Sequence, residues 1–317
     1  MAAYQELYHR DKLRERIEAA LSLLESCSVC PRTCGVNRLA GDVGKCRTPR
    51  EAIVSSYGPH FGEEAPLVGR GGSGTIFFTN CNLRCLFCQN YSISQLGEGQ
   101  KVSKEELSYI MLSLQARGCQ NINLVSPTHV IPQILEALDL AVESGLNLPL
   151  VYNTGGYDSV ETLKILDGIV DIYMPDMKYD DEETARELSG IENYPVINKA
   201  AVKEMHRQTG DLETNKEGVA QRGLLVRHLV LPHGLAGTKG IVDFVSKEIS
   251  RHSYVNIMAQ YHPCYKAHQV PGLGRRISSG EFHEALSLAQ EAGLSRLDKI
   301  HPAERIFILS ESQIGPK

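Results

Sequence analysis

The chain has 317 residues, 42% hydrophobic and 22% charged, with a formal net charge of −5 at pH 7. That is the composition of a folded globular protein of one large or two small domains, and its sign gives no argument for nucleic acid or membrane as partner. No apolar stretch approaches the ~20 residues of a membrane span, and the N-terminus lacks a signal-peptide core, so a cytoplasmic protein is expected. Nine cysteines are many for that reducing compartment, where clustered thiols argue for metal ligation over disulfides.

Residues 4–26 predict a helix, with Leu7, Leu13, Ile17, Ala20, Leu21 and Leu24 as an apolar stripe. Then comes Cys27-Ser-Val-Cys30-Pro-Arg-Thr-Cys34, with Cys46 after Gly41-Asp-Val-Gly44. Four cysteines in so short a span, opening with C-x2-C, read as a four-thiolate site. Zinc there would staple a small module that lacks its own core, whereas an auxiliary iron–sulfur cluster would relay electrons. Spacing alone does not separate the two.

Ile53–Tyr57 suits a short strand, followed by a Gly/Pro-punctuated loop with His60, Glu63 and Glu64. Gly69-Arg-Gly71-Gly-Ser-Gly74 matches G-x-G-x-x-G but precedes a strand and opens no helix, which excludes a dinucleotide fingerprint. Its glycines suit a tight entry into that strand. The strand, Thr75–Thr79, leads into Cys81-Asn-Leu-Arg-Cys85-Leu-Phe-Cys88-Gln-Asn90. One loop cannot bury three thiols in separate core slots, and soft thiolates select iron–sulfur clusters, zinc or copper(I). A [4Fe–4S] cluster normally takes four thiolates. Three local ligands would leave one iron open, as a catalytic zinc site keeps an open position.

Strands and helices then alternate. Further strands are predicted at Ile122–Val125, Leu148–Tyr152, Ile169–Met174, Leu224–Leu231 and Tyr254–Ala259. Ser103 and Glu106 form a capping box for a helix that ends at Gly118, and Cys119 beyond it reads as a packed thiol. A second helix runs from Ile131 to Ser144, Asp158 and Glu161 cap a third, and Ser278 and Glu281 cap a late one. The polar stretch from Lys203 to Arg222 reads as a substrate-side loop, and Arg305-Ile-Phe-Ile-Leu-Ser310 as an edge strand. The pattern predicts an α/β fold, a parallel sheet curled into an open, partial barrel with a small Cys-rich module before it. The expected division is residues 1–70 for the helix and four-Cys module, 71–275 for the barrel and 276–317 for a C-terminal helix and tail.

Polar residues gather where such barrels keep their chemistry, at the C-terminal strand ends. They are Asn80, Ser126-Pro-Thr-His129, Asn153-Thr-Gly-Gly156, Asp176-Met-Lys178, Pro232-His233 and Gln260-Tyr-His262.

C-x3-C-x-aromatic-C, with Phe87 as the aromatic, resembles the signature of the radical S-adenosylmethionine (radical SAM) superfamily. The segment Cys81 through Asn90 is similar to the pyruvate formate-lyase activating enzymes, and the whole chain resembles a branch of them called PflX-like. The resemblance implies a (β/α)6 TIM-like partial barrel and a [4Fe–4S] cluster on Cys81, Cys85 and Cys88. The open iron of that cluster would chelate SAM, and reductive cleavage would give a 5′-deoxyadenosyl radical that abstracts hydrogen, as an oxidoreductase activating a glycyl-radical partner protein. It also implies an electron donor such as flavodoxin or ferredoxin.

Cofactor contacts carried over from the family fall on Ser126, Thr128, Asn153, Thr154, Asp176, Lys178, Arg227 and His262. Ser126-Pro127-Thr128-His129 stands where the relatives have Gly-Gly-Glu, and Asn153 stands where they have Asp. Two alternatives remain in view: the same radical chemistry on a small molecule, peptide or RNA, and a non-enzymatic iron–sulfur or zinc scaffold or electron carrier.

Overall fold

The structure, a computed structural model, describes residues 2–298. The edge strand expected at Arg305–Ser310 lies outside the described residues. In chain order the elements are α1 (Ala3–His9), α2 (Lys12–Ser22), β1 (Ala52–His60), α3 (Ala65–Val68), β2 (Ser73–Phe78), α4 (Tyr91–Ser94) and β3 (Gln100–Val102). Next come α5 (Lys104–Ala116), β4 (Ile122–Val125), α6 (Ile131–Glu143), β5 (Leu150–Thr154), α7 (Val160–Ile165), β6 (Ile172–Pro175), α8 (Glu182–Ser189) and α9 (Tyr194–Thr209). The chain continues through β7 (Glu213–Thr214), β8 (Ala220–Leu229), α10 (Thr238–Phe244), β9 (Tyr254–Met258), α11 (Ser279–Glu291) and β10 (Arg296–Leu297).

Among the described residues these strands form one sheet in the order β10-β9-β8-β6-β5-β4-β2-β1-β3, with β7 paired to β8. From β2 to β10 along that order the pairing is parallel, and β1 and β3 add antiparallel at the other edge. The apolar runs thus mark the parallel strands as expected, with ends shifted by a few residues. No described helix is long and apolar enough to cross a membrane.

Strand alternation sorts side chains onto two faces. The larger core lies between the sheet and its helices and takes Ile76, Leu124 and Tyr152 from the strands and Leu114, Leu135 and Leu138 from α5 and α6. The smaller core gathers Val151, Ile172, Met174 and Leu225 around Leu67 of α3. Asn121 beside β4 donates to the Leu67 carbonyl at 2.9 Å, while Glu64 meets Arg227 on β8 and Asn256 on β9. The short helix and its N-cap therefore pack on this face, the inner, concave one of the expected partial barrel, with contacts from beside β4 to β9.

Several local expectations change. The first helix breaks at Asp11, which takes φ 56° and restarts the chain as α2. β1 runs on to His60, where a loop was expected. Pro59 is tolerated because β3 reaches only Ala52–Val54 and needs no N–H there. Lys203–Gln208 belongs to α9, whose buried Ala201, Val202 and Met205 hold it to the sheet. The hairpin after it pairs at the start of β8, the end of the sheet opposite the cysteine loop, so this stretch is not a substrate-side loop. Both capping boxes form as expected, at Ser103 and Ser278. Asp158 caps nothing: Ser159 is the N-cap of α7 and makes no side-chain cap bond.

The glycine run before β2 serves close approach. A Cβ on Gly71 would meet the Gly118 carbonyl oxygen at 1.8 Å, and one on Gly74 the Asn121 oxygen at 2.5 Å.

Candidate functional site

The cysteine loop leaves β2 through Asn80, whose φ of 71° turns the chain sharply at the strand end. The loop is held from several sides. Asn82 Nδ2 donates to the Tyr157 carbonyl at 2.7 Å, Arg84 N–H to Ser189 O at 3.1 Å and Leu86 N–H to Leu188 O at 2.8 Å. Leu83 lies on Gly155, where a Cβ would press its Cδ1 at 2.6 Å. Gly155, just after β5, is thus the seat of Leu83. Phe87, the aromatic of the motif, makes edge contacts with Tyr179 and Tyr261.

Each thiol of the loop has a polar neighbour. The Leu83 N–H donates to Cys81 Sγ at 3.4 Å, the Ser189 hydroxyl donates to Cys85 Sγ at 3.0 Å, and Cys88 Sγ and Ser94 Oγ are 3.1 Å apart. Burial pushes the Cys81 thiol up to about 12, with the nearby Cys85 and Cys88 adding to it. Burial raises Cys85 as well, against the pull of Lys178. The thiols therefore sit within electrostatic reach of one another, with Cys81 and Cys85 also in reach of Lys178. No group of three His, Cys, Asp or Glu among the described residues converges tightly enough to share a single ion. A cubane takes its thiolates on separate irons and needs ligands around a space, not at a point. Burial favours the protonated thiols of Cys81 and Cys85 until a bound cation displaces the protons, and three soft donors set around a space are a ligand set that fits an iron–sulfur cluster.

Beside the loop lies a charged line across the concave face. Arg227 Nε donates to Asp176 Oδ1 at 2.8 Å and its Nη2 to Asn153 Oδ1 at 2.8 Å. Lys178 Nζ donates to Asp176 Oδ2 at 2.5 Å. Burial disfavours the Asp176 charge, but Arg227 and Lys178 outweigh it and hold the carboxyl below its usual range. His228 points the other way, as alternation requires. It is buried against Thr238 and lowered to about 4 by that burial.

The other expected contacts are placed unevenly. His262 Nδ1 lies 3.2 Å from Gln89 Nε2, beside the cysteine loop. Ser126 takes φ 58° and donates its N–H to the Asn153 carbonyl, which joins the ends of β4 and β5. Thr128 and Thr154 turn away from the concave face: each donates its hydroxyl to Asp158, at 2.7 Å, and Tyr152 joins them at 2.9 Å. Their side chains position the strand-end loops and do not line the mouth.

Three neighbours are given no role in this site by the sequence reading, although Glu64 is noted on the loop before the barrel. Ser189 ends α8 far from the motif and has no local signal. Glu64 is buried with Oε2 unpartnered and its pKa raised, chiefly by burial. Cys264 couples electrostatically to Cys88, and its place just past the last strand end is a signal that could have found it.

Cys27, Cys30, Cys34 and Cys46 also come together. Burial pushes Cys30 up to about 12, and each of the other three adds to the shift. Their module is fixed to the barrel by Arg38, fully buried, whose guanidinium donates to Pro49 O at 2.8 Å and His129 O at 2.9 Å.

A sheet of this topology with three thiols after its first parallel strand is the arrangement expected of a radical SAM protein. The chain carries a Radical SAM superfamily domain, whose sequence profile matches residues 75–218. It is 34% identical over 88% of its length to the uncharacterized protein MJ0674 of Methanocaldococcus jannaschii, of which 78% is covered. It is 25% identical over 77% of its length to the uncharacterized protein MJ0808 of the same organism, with 73% of that protein covered. The fold is similar to the crystal structure of a radical SAM methyltransferase from Sphaerobacter thermophilus, with a TM-score of 0.51 and 16% identity. That match covers 72% of this chain and 66% of the other.

Proposed function

We propose that the protein is a SAM-cleaving radical enzyme in which Cys81, Cys85 and Cys88 hold a [4Fe–4S] cluster. The observation that carries the reading is the gathering of these three thiols beside Lys178, Asp176 and Arg227. When bound, the cluster supplies the single electron that cleaves SAM and starts hydrogen abstraction. The chain's own residues bind and orient. Lys178 and Arg227 offer cations, and Asp176 and Asn153 offer oxygens, a mixed set suited to an amino acid's carboxylate and ammonium. Gln89 orients His262 toward the same mouth, where an adenosine would lie. Cys27, Cys30, Cys34 and Cys46 are the donors of a proposed second centre, an auxiliary iron–sulfur cluster as they stand, or zinc were the four thiols to close on one ion.

For the substrate, the resemblance of Cys81 through Asn90 to the activating enzymes and the PflX-like branch supports a glycine of a partner protein, with a flavodoxin or ferredoxin as donor.

The test is anaerobic reconstitution with iron and sulfide, then SAM and a strong reductant. Release of 5′-deoxyadenosine is expected from the wild type and not from Cys85→Ala. A fully loaded wild type that releases none is a scaffold or carrier. A glycyl radical seen by electron paramagnetic resonance in a trapped partner would establish the substrate class, and its absence would favour a small molecule, peptide or RNA. Metal analysis of a variant lacking Cys81, Cys85 and Cys88 separates zinc from iron at the second site.

A further inference from the structure

Arg84 lies inside the cysteine loop, one residue before Cys85, yet its side chain belongs to the N-terminal module. Its Nη2 donates to the Lys45 carbonyl and its Nη1 to Gln95 Oε1 at 3.3 Å. The Lys45 N–H in turn donates to Cys34 Sγ at 3.3 Å. A continuous path therefore runs from Cys34 Sγ through the Lys45 backbone to the Arg84 guanidinium, and on through Gln95, whose Nε2 donates to Ser94 Oγ at 3.3 Å, to Cys88 Sγ, 3.1 Å from that hydroxyl. The approach is tight at its far end, where a Cβ on Gly44 would meet Cys34 Sγ at 2.8 Å. A second strut runs alongside: Arg47 donates to the Gln95 carbonyl, and Asn80 Nδ2 donates to the Arg47 carbonyl at 3.4 Å.

The electrostatics of this place are unusual for a chain of net charge −5. The Arg84 guanidinium is half-buried. After burial, its neighbours Arg47 and Arg32 act against its charge, while Cys81 of one set and Cys46 of the other favour it. Cations crowded together away from water are costly unless anions lie close. Once ligated, the thiolates of the two sets would supply such anions, Cys81 on one side and Cys46 on the other.

We propose that Arg84 is a counter-charge shared by the two thiol centres, so that the state of the N-terminal centre sets the reduction potential of the cluster on Cys81, Cys85 and Cys88. The inference rests on the ligation proposed above for both centres. A cation beside a cluster favours its reduced, more negative state and so raises its potential. An intact N-terminal centre fixes the Lys45 carbonyl, which holds Arg84 in place. Loss of that centre frees Arg84 to water and lowers the potential. Linkage makes the effect reciprocal. Arg84 here is a positioning residue that acts through charge and touches no substrate.

The test is the midpoint potential of the cluster, followed by electron paramagnetic resonance in the anaerobically reconstituted full chain, with iron and sulfide measured in parallel. Arg84→Met should keep the iron content and move the midpoint to more negative values. Arg84→Lys, which keeps the charge but loses the fork, should fall between. Cys27→Ser with Cys46→Ser should lower the wild-type midpoint and produce no further shift in the Arg84→Met background. Gly44→Ala, which presses a methyl on Cys34 without removing a ligand, gives the same comparison should the double variant not fold. A wild-type midpoint in a fully loaded Arg84→Met protein would overturn the coupling and leave the proposed function standing. So would equal shifts from the N-terminal variants with and without Arg84. A wild type that shows no cluster signal after reconstitution would overturn the ligation and the coupling together.

Discussion

The Asp171 carboxylate accepts the backbone N–H of Ala3 and that of Leu150, each at 2.8 Å, and so ties the first helix to β5. Burial costs this charge more than its two N–H donors return, and its pKa rises from 3.8 to about 6. The folded state thus holds the proton more tightly than the unfolded chain does. The associated stability is complete below pH 3.8 and is lost as pH rises through about 6. Urea midpoints of the wild type and Asp171→Asn should therefore diverge across that window, the wild type falling relative to the variant as pH rises. A pH-independent difference would contradict the assignment. Arg227 shows the opposite case. Its charge is kept in a buried place because Asp176 and Asn153 meet it at 2.8 Å, and alternation puts it, and not His228, on the concave face.

At the scale of elements, the turn into β2 and the loops after β4 and β5 decide the site. Gly71 lies so close to the Gly118 carbonyl that a methyl cannot fit without moving backbone. Gly71→Ala should destabilise the fold by ~1–3 kcal/mol, the usual cost of overpacking, measured by chemical denaturation. A neutral result would mean the entry to the strand is slack. The loops after β4 and β5 are locked by Asp158, which takes hydroxyls from Thr128, Thr154 and Tyr152. Asp158 followed three residues later by Glu161 looks like a helix cap in sequence. Nothing local says that its partners come from two different strand ends.

For the whole molecule, the issue is how the four-thiol module sits on the barrel. Arg38 is fully buried and is the polar pin between them, donating to Pro49 and to His129 at the end of β4. Arg50 adds a partly exposed pair with Glu136 on α6. Arg38→Met fills similar space but leaves one buried and one partly buried carbonyl without a donor, at a cost on the order of 2 kcal/mol. Limited proteolysis should then cut within residues 1–50 sooner than in the wild type, with the barrel fragment persisting. Equal cleavage rates would show that the module is held by apolar contacts alone.

Sequence by itself determined what depends on neighbours along the chain. Apolar β-branched runs fixed the parallel strands, Ser-x-x-Glu fixed two helix starts, and C-x3-C-x2-C placed three soft donors after the first parallel strand. It also rejected the glycine-rich stretch as a nucleotide fingerprint, because order along the chain sufficed. Only the tertiary structure decided which of Arg227 and His228 faces inward, that Thr128 and Thr154 bond Asp158, and that Ser189 and Cys264 stand beside the cysteine loop. It alone put Arg84 between two sets of thiols. Those facts depend on curvature and register among strands distant in sequence. Local periodicity carries no record of which distant groups the closing sheet will bring face to face.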